Sequence, residues 1–172
     1  MRLGRARTAG YIVIARITSG READAQAAME GWPKLGESPF GKVPGTHLAR
    51  LGTLTPPARR GAGPPGRYLL LAADVDPPVR RWIDALIAAV PDELDAVLRH
   101  CDGWPGAGEP RAARRWMQAG RVGIGFSVIG SPEATTADVT GALRLRERLR
   151  SFVQETQGLG TEELRRAWEG WA

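Results

Sequence analysis

Residues 46–73 read THLARLGTLTPPARRGAGPPGRYLLLAA. Thr46 to Leu54 alternates in the manner of a strand, with His47, Ala49 and Leu51 on one face and Leu48 and Arg50 on the other. Tyr68 to Ala73 is an unbroken apolar run, which predicts a strand buried on both faces. The stretch between them, Thr55 to Gly66, has no apolar side chain large enough to anchor it and predicts a mobile connection. Two strands therefore follow one another directly.

Upstream, Tyr11 to Ile17 (YIVIARI) is β-branched and almost wholly apolar, as a buried strand requires. Ser19 and Glu22 have capping-box spacing and open an Ala-rich helix to about Glu30. A Gly- and Pro-rich loop from Gly31 to Gly45 leads into the second strand. Downstream, Asp76 is placed to cap a helix with Pro77 at its first position, followed by the stripe Val79, Trp82, Ile83, Leu86 and Val90. After Pro91, a second short helix carries Leu94, Val97, Leu98 and Cys101 at core spacing. Asp102 to Pro110 is a loop, and Arg121 to Ile129 is a fourth strand: Val122, Ile124, Phe126 and Val128 fill one face, and Gly123, Gly125 and Ser127 leave the other nearly bare. Helices from Thr135 or Thr136 and from Thr161 close the chain.

The order β-α-β-β-α-β with added C-terminal helices is that of a ferredoxin-like α+β sandwich, an antiparallel sheet with helices on one face. The echo of Glu30-Gly-Trp-Pro33 in Asp102-Gly-Trp-Pro105 fits two βαβ halves. The expected organisation is a single domain over 1–172, with a core at about 10–130 and a helical extension at about 135–172. An uncovered apolar sheet face is an association site, so a homodimer is expected.

The chain has 172 residues, 42% hydrophobic and 25% charged, which is enough for one core. No stretch approaches the roughly 18 apolar residues of a membrane span. The run Tyr11 to Ala15 is too short for a signal-peptide core, so a cytoplasmic protein is expected. With Cys101 as the only cysteine, internal disulfides, CxxC zinc sites and iron-sulfur clusters are excluded. The net charge is +5, and Lys34 and Lys42 are the only lysines among 24 cationic side chains. The arginines are scattered in pairs with acids among them, without the dense block or aromatic-interleaved stripe of a nucleic-acid surface.

Pro44-Gly-Thr-His-Leu-Ala-Arg-Leu51, followed by Tyr68-Leu-Leu-Leu-Ala-Ala-Asp-Val-Asp76, resembles the opening of a group of bacterial ferredoxin-like proteins that read HFARW and then LLFESNYDG. Leu94 to Pro105 resembles their HCxGYP stretch, and Leu143 to Phe152 their LRxxLxxF helix. The resemblance spans roughly Val43 to Val153. It implies the same fold and an unsettled activity, sometimes labelled peroxidase-like. This chain has Leu48 where the group has Phe, and Ala73 to Asp76 replaces the Asn-Tyr-Asp-Gly turn.

His47 and His100 are the only histidines. His47 is the first candidate for a general acid or base, or a haem ligand, against the alternative of a hydrogen-bonded core histidine. Arg50 can hold a carboxylate or enolate, but three residues along a strand it faces away from His47 unless the strand bulges. His100 sits with Cys101 at the end of the second short helix, just before the Asp102-Gly103 turn, where the helix dipole favours an imidazole without catalysis; beside Cys101 and Asp102 it is the second candidate. Cys101 continues the core stripe. No H-x-x-x-H or H-x-H spacing occurs, and a metal would need Asp74 or Asp76 as further ligands, so none is expected. The serine-hydrolase, P-loop and dinucleotide-binding motifs are missing. Trp82 and Trp168 fit core stripes, Arg144, Arg146, Arg148 and Arg150 a solvated surface, and Trp32 and Trp104 beside prolines the mouth of a pocket with Gly123, Gly125 and Ser127.

These residues point to a protein that binds a hydrophobic small molecule. The leading expectation is an enzyme of specialised metabolism using acid-base chemistry of the cyclase or isomerase type, with no cofactor. The alternatives are a haem-dependent oxidoreductase and a non-catalytic binding module, including a basic nucleic-acid binder.

Overall fold

The computed structural model describes residues 7–33, 37–57, 66–124 and 133–171. Three strands, β1 (Ala9–Arg16), β2 (Thr46–Leu54) and β3 (Tyr68–Val75), form an antiparallel sheet in the order β1-β3-β2. Six helices accompany them: α1 (Glu22–Glu30), α2 (Val79–Ala89), α3 (Pro91–Leu98), α4 (Pro110–Ala119), α5 (Thr136–Glu155) and α6 (Thr161–Trp171). This is the α+β, ferredoxin-like arrangement with extra C-terminal helices. The chain falls into two compact units, Met1–Thr136 and Ala137–Ala172.

In the first unit the helices cover one sheet face. Tyr11, Val13 and Ala15 of β1 and Leu69, Leu71, Ala73 and Val75 of β3 point into a core completed by Trp82, Ile83, Leu86 and Ile87 of α2 and by Leu94, Val97 and Leu98 of α3. Burial alternates along β3 rather than covering both faces: Leu69, Leu71, Ala73 and Val75 are buried, whereas Leu70, Ala72 and Asp74 on the outer face are half-buried. Trp82, only 2% exposed, packs its ring 5.5 Å from Tyr11.

α4 was not apparent from the sequence. Pro110 starts it, Gly120 ends it, and Ala113 and Met117 are its buried face. Met117 accepts the Tyr11 hydroxyl on its carbonyl at 3.0 Å, tying the helix to β1. A Cβ on Gly120 would sit 2.8 Å from Val13 Cγ2 and 3.1 Å from the Ile14 carbonyl oxygen, so glycine is needed where the chain crosses β1. There Ile14 N–H donates to Gly120 O at 3.0 Å and Val122 N–H to Ile12 O at 2.9 Å, and Arg121 bridges Val13 antiparallel. Residues 120–122 thus enter along the β1 edge that the order β1-β3-β2 leaves open, where a fourth strand is expected; residues 125–129 of that strand lie outside the described residues, as do 58–65 of the expected connection.

Two helix starts differ from expectation. Arg21, not Ser19, occupies the N-cap of α1, with no side-chain cap bond. α2 begins at Val79 with Pro78 at its N-cap, so Asp76 lies too far upstream to cap it and is free for other partners.

In the second unit α5 and α6 have no buried residue. Phe152, Trp168 and Trp171 form an aromatic cluster with ring centroids 5.1–5.6 Å apart, and the Arg148 guanidinium lies 5.1 Å above Trp171. Trp168 is 49% exposed rather than a core residue, because its partners form a surface stack.

Candidate functional site

The register of β2 slips at its start. Thr46 stands opposite Val75 and Leu48 opposite Asp74, which makes His47 the extra residue of a β-bulge. The bulge separates the roles of neighbouring side chains. Thr46 Oγ1 donates to the Val43 carbonyl at 2.9 Å and accepts the Trp82 indole N–H at 2.8 Å, which fastens β2 to α2. His47 reaches Asp76 instead, with Nε2 2.8 Å from Asp76 Oδ1 and 3.4 Å from Thr8 Oγ1.

Asp76 is held from three sides. Its N–H donates to Gly45 O at 2.7 Å, Thr136 Oγ1 donates to Oδ2 at 2.7 Å, and Thr136 N–H approaches both oxygens at 3.2 and 3.4 Å. Gly45 has φ +79°, and a Cβ there would lie 3.2 Å from Asp76 Cβ; glycine serves both the backbone conformation and the close approach. The His47 and Asp76 side chains keep 20% and 24% exposure, so the pair is sheltered yet reachable.

A carboxylate oxygen accepts, so the neutral imidazole that fits Asp76 carries its proton on Nε2 and leaves the Nδ1 lone pair as the basic site. An imidazole oriented this way is chemically able to take a proton at Nδ1.

Next to this dyad, on the outer sheet face, is a cavity of about 180 Å³ lined by Ile12, Leu48, Arg50, Ala72, Asp74 and Ile124, among others. Arg50 is in its wall; His47 is not. The bulge therefore does not unite His47 and Arg50 in one cavity, although they are three residues apart.

His100 is at the other end of the sheet. Its carbonyl accepts Thr18 N–H just beyond β1, whereas His47 stands by Val75, which pairs with Ala9 at the start of β1. An eight-residue strand separates them, roughly 25 Å. His100 is 8% exposed, and its Nδ1 is buried without a partner among the described residues. It is buried in the turn after α3, which backbone hydrogen bonds tie to the end of β1. Beside it, burial and the neighbouring Asp102 push the Cys101 thiol up to about 12, in keeping with a core cysteine.

The two loop tryptophans have different surroundings: Trp104 lines an open surface pocket with Asp95, Arg99, Pro105 and Gly106, and Trp32 is not among its lining residues. Trp32 packs edge-on against Phe40 at 5.3 Å. Trp104 packs against Trp116 at 5.0 Å and donates its indole N–H to Asp95 Oδ1 at 2.7 Å, which also accepts Ala107 N–H at 2.8 Å. The Trp104 indole thus fastens its loop, whereas the Trp32 indole N–H is buried without a hydrogen-bond partner among the described residues. Gly123 is exposed with open space around its α-carbon, and Gly125 and Ser127 lie outside the described residues.

Sequence reasoning missed the partnership of Asp76 with His47. The D-P-P signal favoured a helix cap, and a bulge leaves no trace in an alternating pattern. The described residues hold no cluster of three or more potential metal ligands, and no helix among them is long and apolar enough to cross a membrane.

No family model matches the chain, and no match is found among the curated proteins or the solved structures.

Proposed function

We propose that this chain is a cytoplasmic small-molecule-binding enzyme of specialised metabolism that performs acid-base chemistry of the cyclase or isomerase type without a cofactor. The observation that carries this reading is the 2.8 Å contact between His47 Nε2 and Asp76 Oδ1 at a β-bulge. His47 is the base, acting through Nδ1. Asp76 is a positioning residue that fixes the tautomer and stabilises the imidazolium formed when the proton is taken. Arg50, in the neighbouring cavity, holds a carboxylate or enolate oxygen, and Ile12, Leu48 and Ile124 offer apolar surface to the rest of the molecule.

A positioned general base contributes typically 10²–10⁴-fold in rate. A second copy packed on the outer sheet face, where Ile12, Ile14 and Leu70 are half-buried, would enclose the cavity as a homodimer; sedimentation of the full chain reads that directly.

Phenylpyruvate is a suitable probe, having an apolar ring, a carboxylate for Arg50 and an acidic carbon whose keto-enol conversion is followed by ultraviolet absorbance. The full chain is expected to accelerate this conversion above an equal concentration of free imidazole, and His47→Gln to lower the rate about 100-fold with an unchanged melting temperature. A His47→Gln protein as fast as wild type would overturn the assignment.

A further inference from the structure

The outer sheet face carries two opposite charges that do not meet. In the β2/β3 ladder Arg50 stands opposite Ala72 and Leu48 opposite Asp74. Arg50 and Asp74 are therefore diagonal neighbours on one face, a relationship that spans about 7–8 Å. That gap is within reach of an arginine side chain, yet neither residue makes an ion pair or a side-chain hydrogen bond among the described residues. Both line the same cavity.

The opposite side of Asp74 is shaped by a missing side chain. Its partner on β1 is Gly10, and Ile124 Cδ1 reaches into the space that a Cβ on Gly10 would occupy. Asp74 Oδ1 lies 3.7 Å from the same point. Ile124 is thus brought down beside the carboxylate, and with Ile12, Leu48 and Ala72 it gives the cavity apolar walls. The result is an apolar cleft with a guanidinium on one side and a carboxylate on the other.

Each charge selects its complement. A guanidinium takes a carboxylate through two parallel N–H donors, and an aspartate takes an ammonium with its three donors. One small molecule that carries both groups on an apolar skeleton is an α-amino acid. A cavity of about 180 Å³ has room for a small amphipathic molecule such as a branched aliphatic amino acid.

We propose that the cavity between β1, β2 and β3 binds an apolar α-amino acid, or a derivative retaining both charged groups, with its carboxylate on Arg50 and its ammonium on Asp74. This rests on the reading of the cavity as the ligand site, and not on proton transfer by His47. It narrows the substrate class from a hydrophobic molecule to an amphipathic zwitterion.

Calorimetric titration of the full chain with L-leucine, L-leucinamide and 4-methylpentanoate tests it, because the last two lack the carboxylate and the ammonium respectively. Saturable leucine binding at about 1 mM or tighter, at least tenfold weaker binding of both analogues, and loss of leucine binding in Arg50→Gln and in Asp74→Asn are expected. Leucine binding by the wild-type chain without acceleration of phenylpyruvate enolisation would sink the catalytic reading and leave this one standing. Failure of leucine, isoleucine and valine to saturate at about 10 mM, equal binding of the three leucine compounds, or binding that survives both substitutions would overturn the proposal.

Discussion

Asp76 Oδ1 lies 2.8 Å from His47 Nε2, and the other oxygen of the same carboxylate accepts the Thr136 hydroxyl at 2.7 Å. One acidic side chain just past the end of β3 thus orients an imidazole on β2 and takes hold of a residue 60 positions further along the chain. Its position depends on three local features: the bulge that turns His47, the left-handed Gly45 behind it, and the proline pair that starts α2 beyond its reach.

Gly45→Ala tests the packing behind Asp76. The substitution places a Cβ 3.2 Å from Asp76 Cβ at a φ of +79°. A stability loss of about 1–2 kcal/mol is expected, read by urea denaturation. Phenylpyruvate turnover should show a lower kcat with KM unchanged, since the cavity wall is not touched. An unchanged kcat in a destabilised protein would separate Asp76 from the chemistry.

Thr46→Val removes the acceptor of the buried Trp82 indole N–H while keeping the side-chain shape. A donor left unsatisfied in the interior costs about 1–3 kcal/mol. The double substitution Thr46→Val with Trp82→Phe should cost less than the sum of the two singles, because the second removes the stranded group. Additive costs would mean that this bond does not fasten β2 to α2.

Cys101 and Tyr11 give alkaline pH a defined effect. Burial raises both in the folded chain, Cys101 from 9.0 to about 12. Between those values the unfolded thiol has lost its proton and the folded thiol keeps it, so the unfolded state binds fewer protons and stability falls as pH rises, by at most about 1.4 kcal/mol per pH unit for each group. Below about pH 8 neither contributes an appreciable slope. A thiol reagent at pH 8 is expected to modify Cys101 only as fast as the protein unfolds; immediate modification of the native chain would contradict its burial.

His100→Leu distinguishes the two histidines. The substitution exchanges a buried imidazole with an unpartnered Nδ1 for an apolar side chain, and a change within about 1 kcal/mol of wild type is expected. Phenylpyruvate turnover should persist. Loss of turnover with the fold intact would return His100 to the candidate site.

The strands and core helices were legible because each rests on local periodicity: Thr46 to Leu54 alternates, and Trp82, Ile83, Leu86 and Val90 recur on a helical stripe. α4 was not, because its buried face consists of little more than Ala113 and Met117 among arginines. His47 and Arg50 were legible as chemistry-bearing residues by type. Their surroundings were not, since a bulge of one residue and a diagonal relation across two strands are properties of pairing, which sequence spacing does not record. Trp104 was legible as a loop residue beside a proline, but not its anchoring: its indole N–H is held by Asp95, nine residues earlier, where both line an open surface pocket.

A double-mutant cycle of His47→Gln and Asp76→Asn on phenylpyruvate turnover reads the coupling between the imidazole and the carboxylate. Residues that act as one unit are strongly non-additive. If Asp76 acts only through His47, the double variant will be no slower than His47→Gln alone, although Asp76→Asn alone lowers the rate. Rate losses that multiply in the double variant would contradict the account.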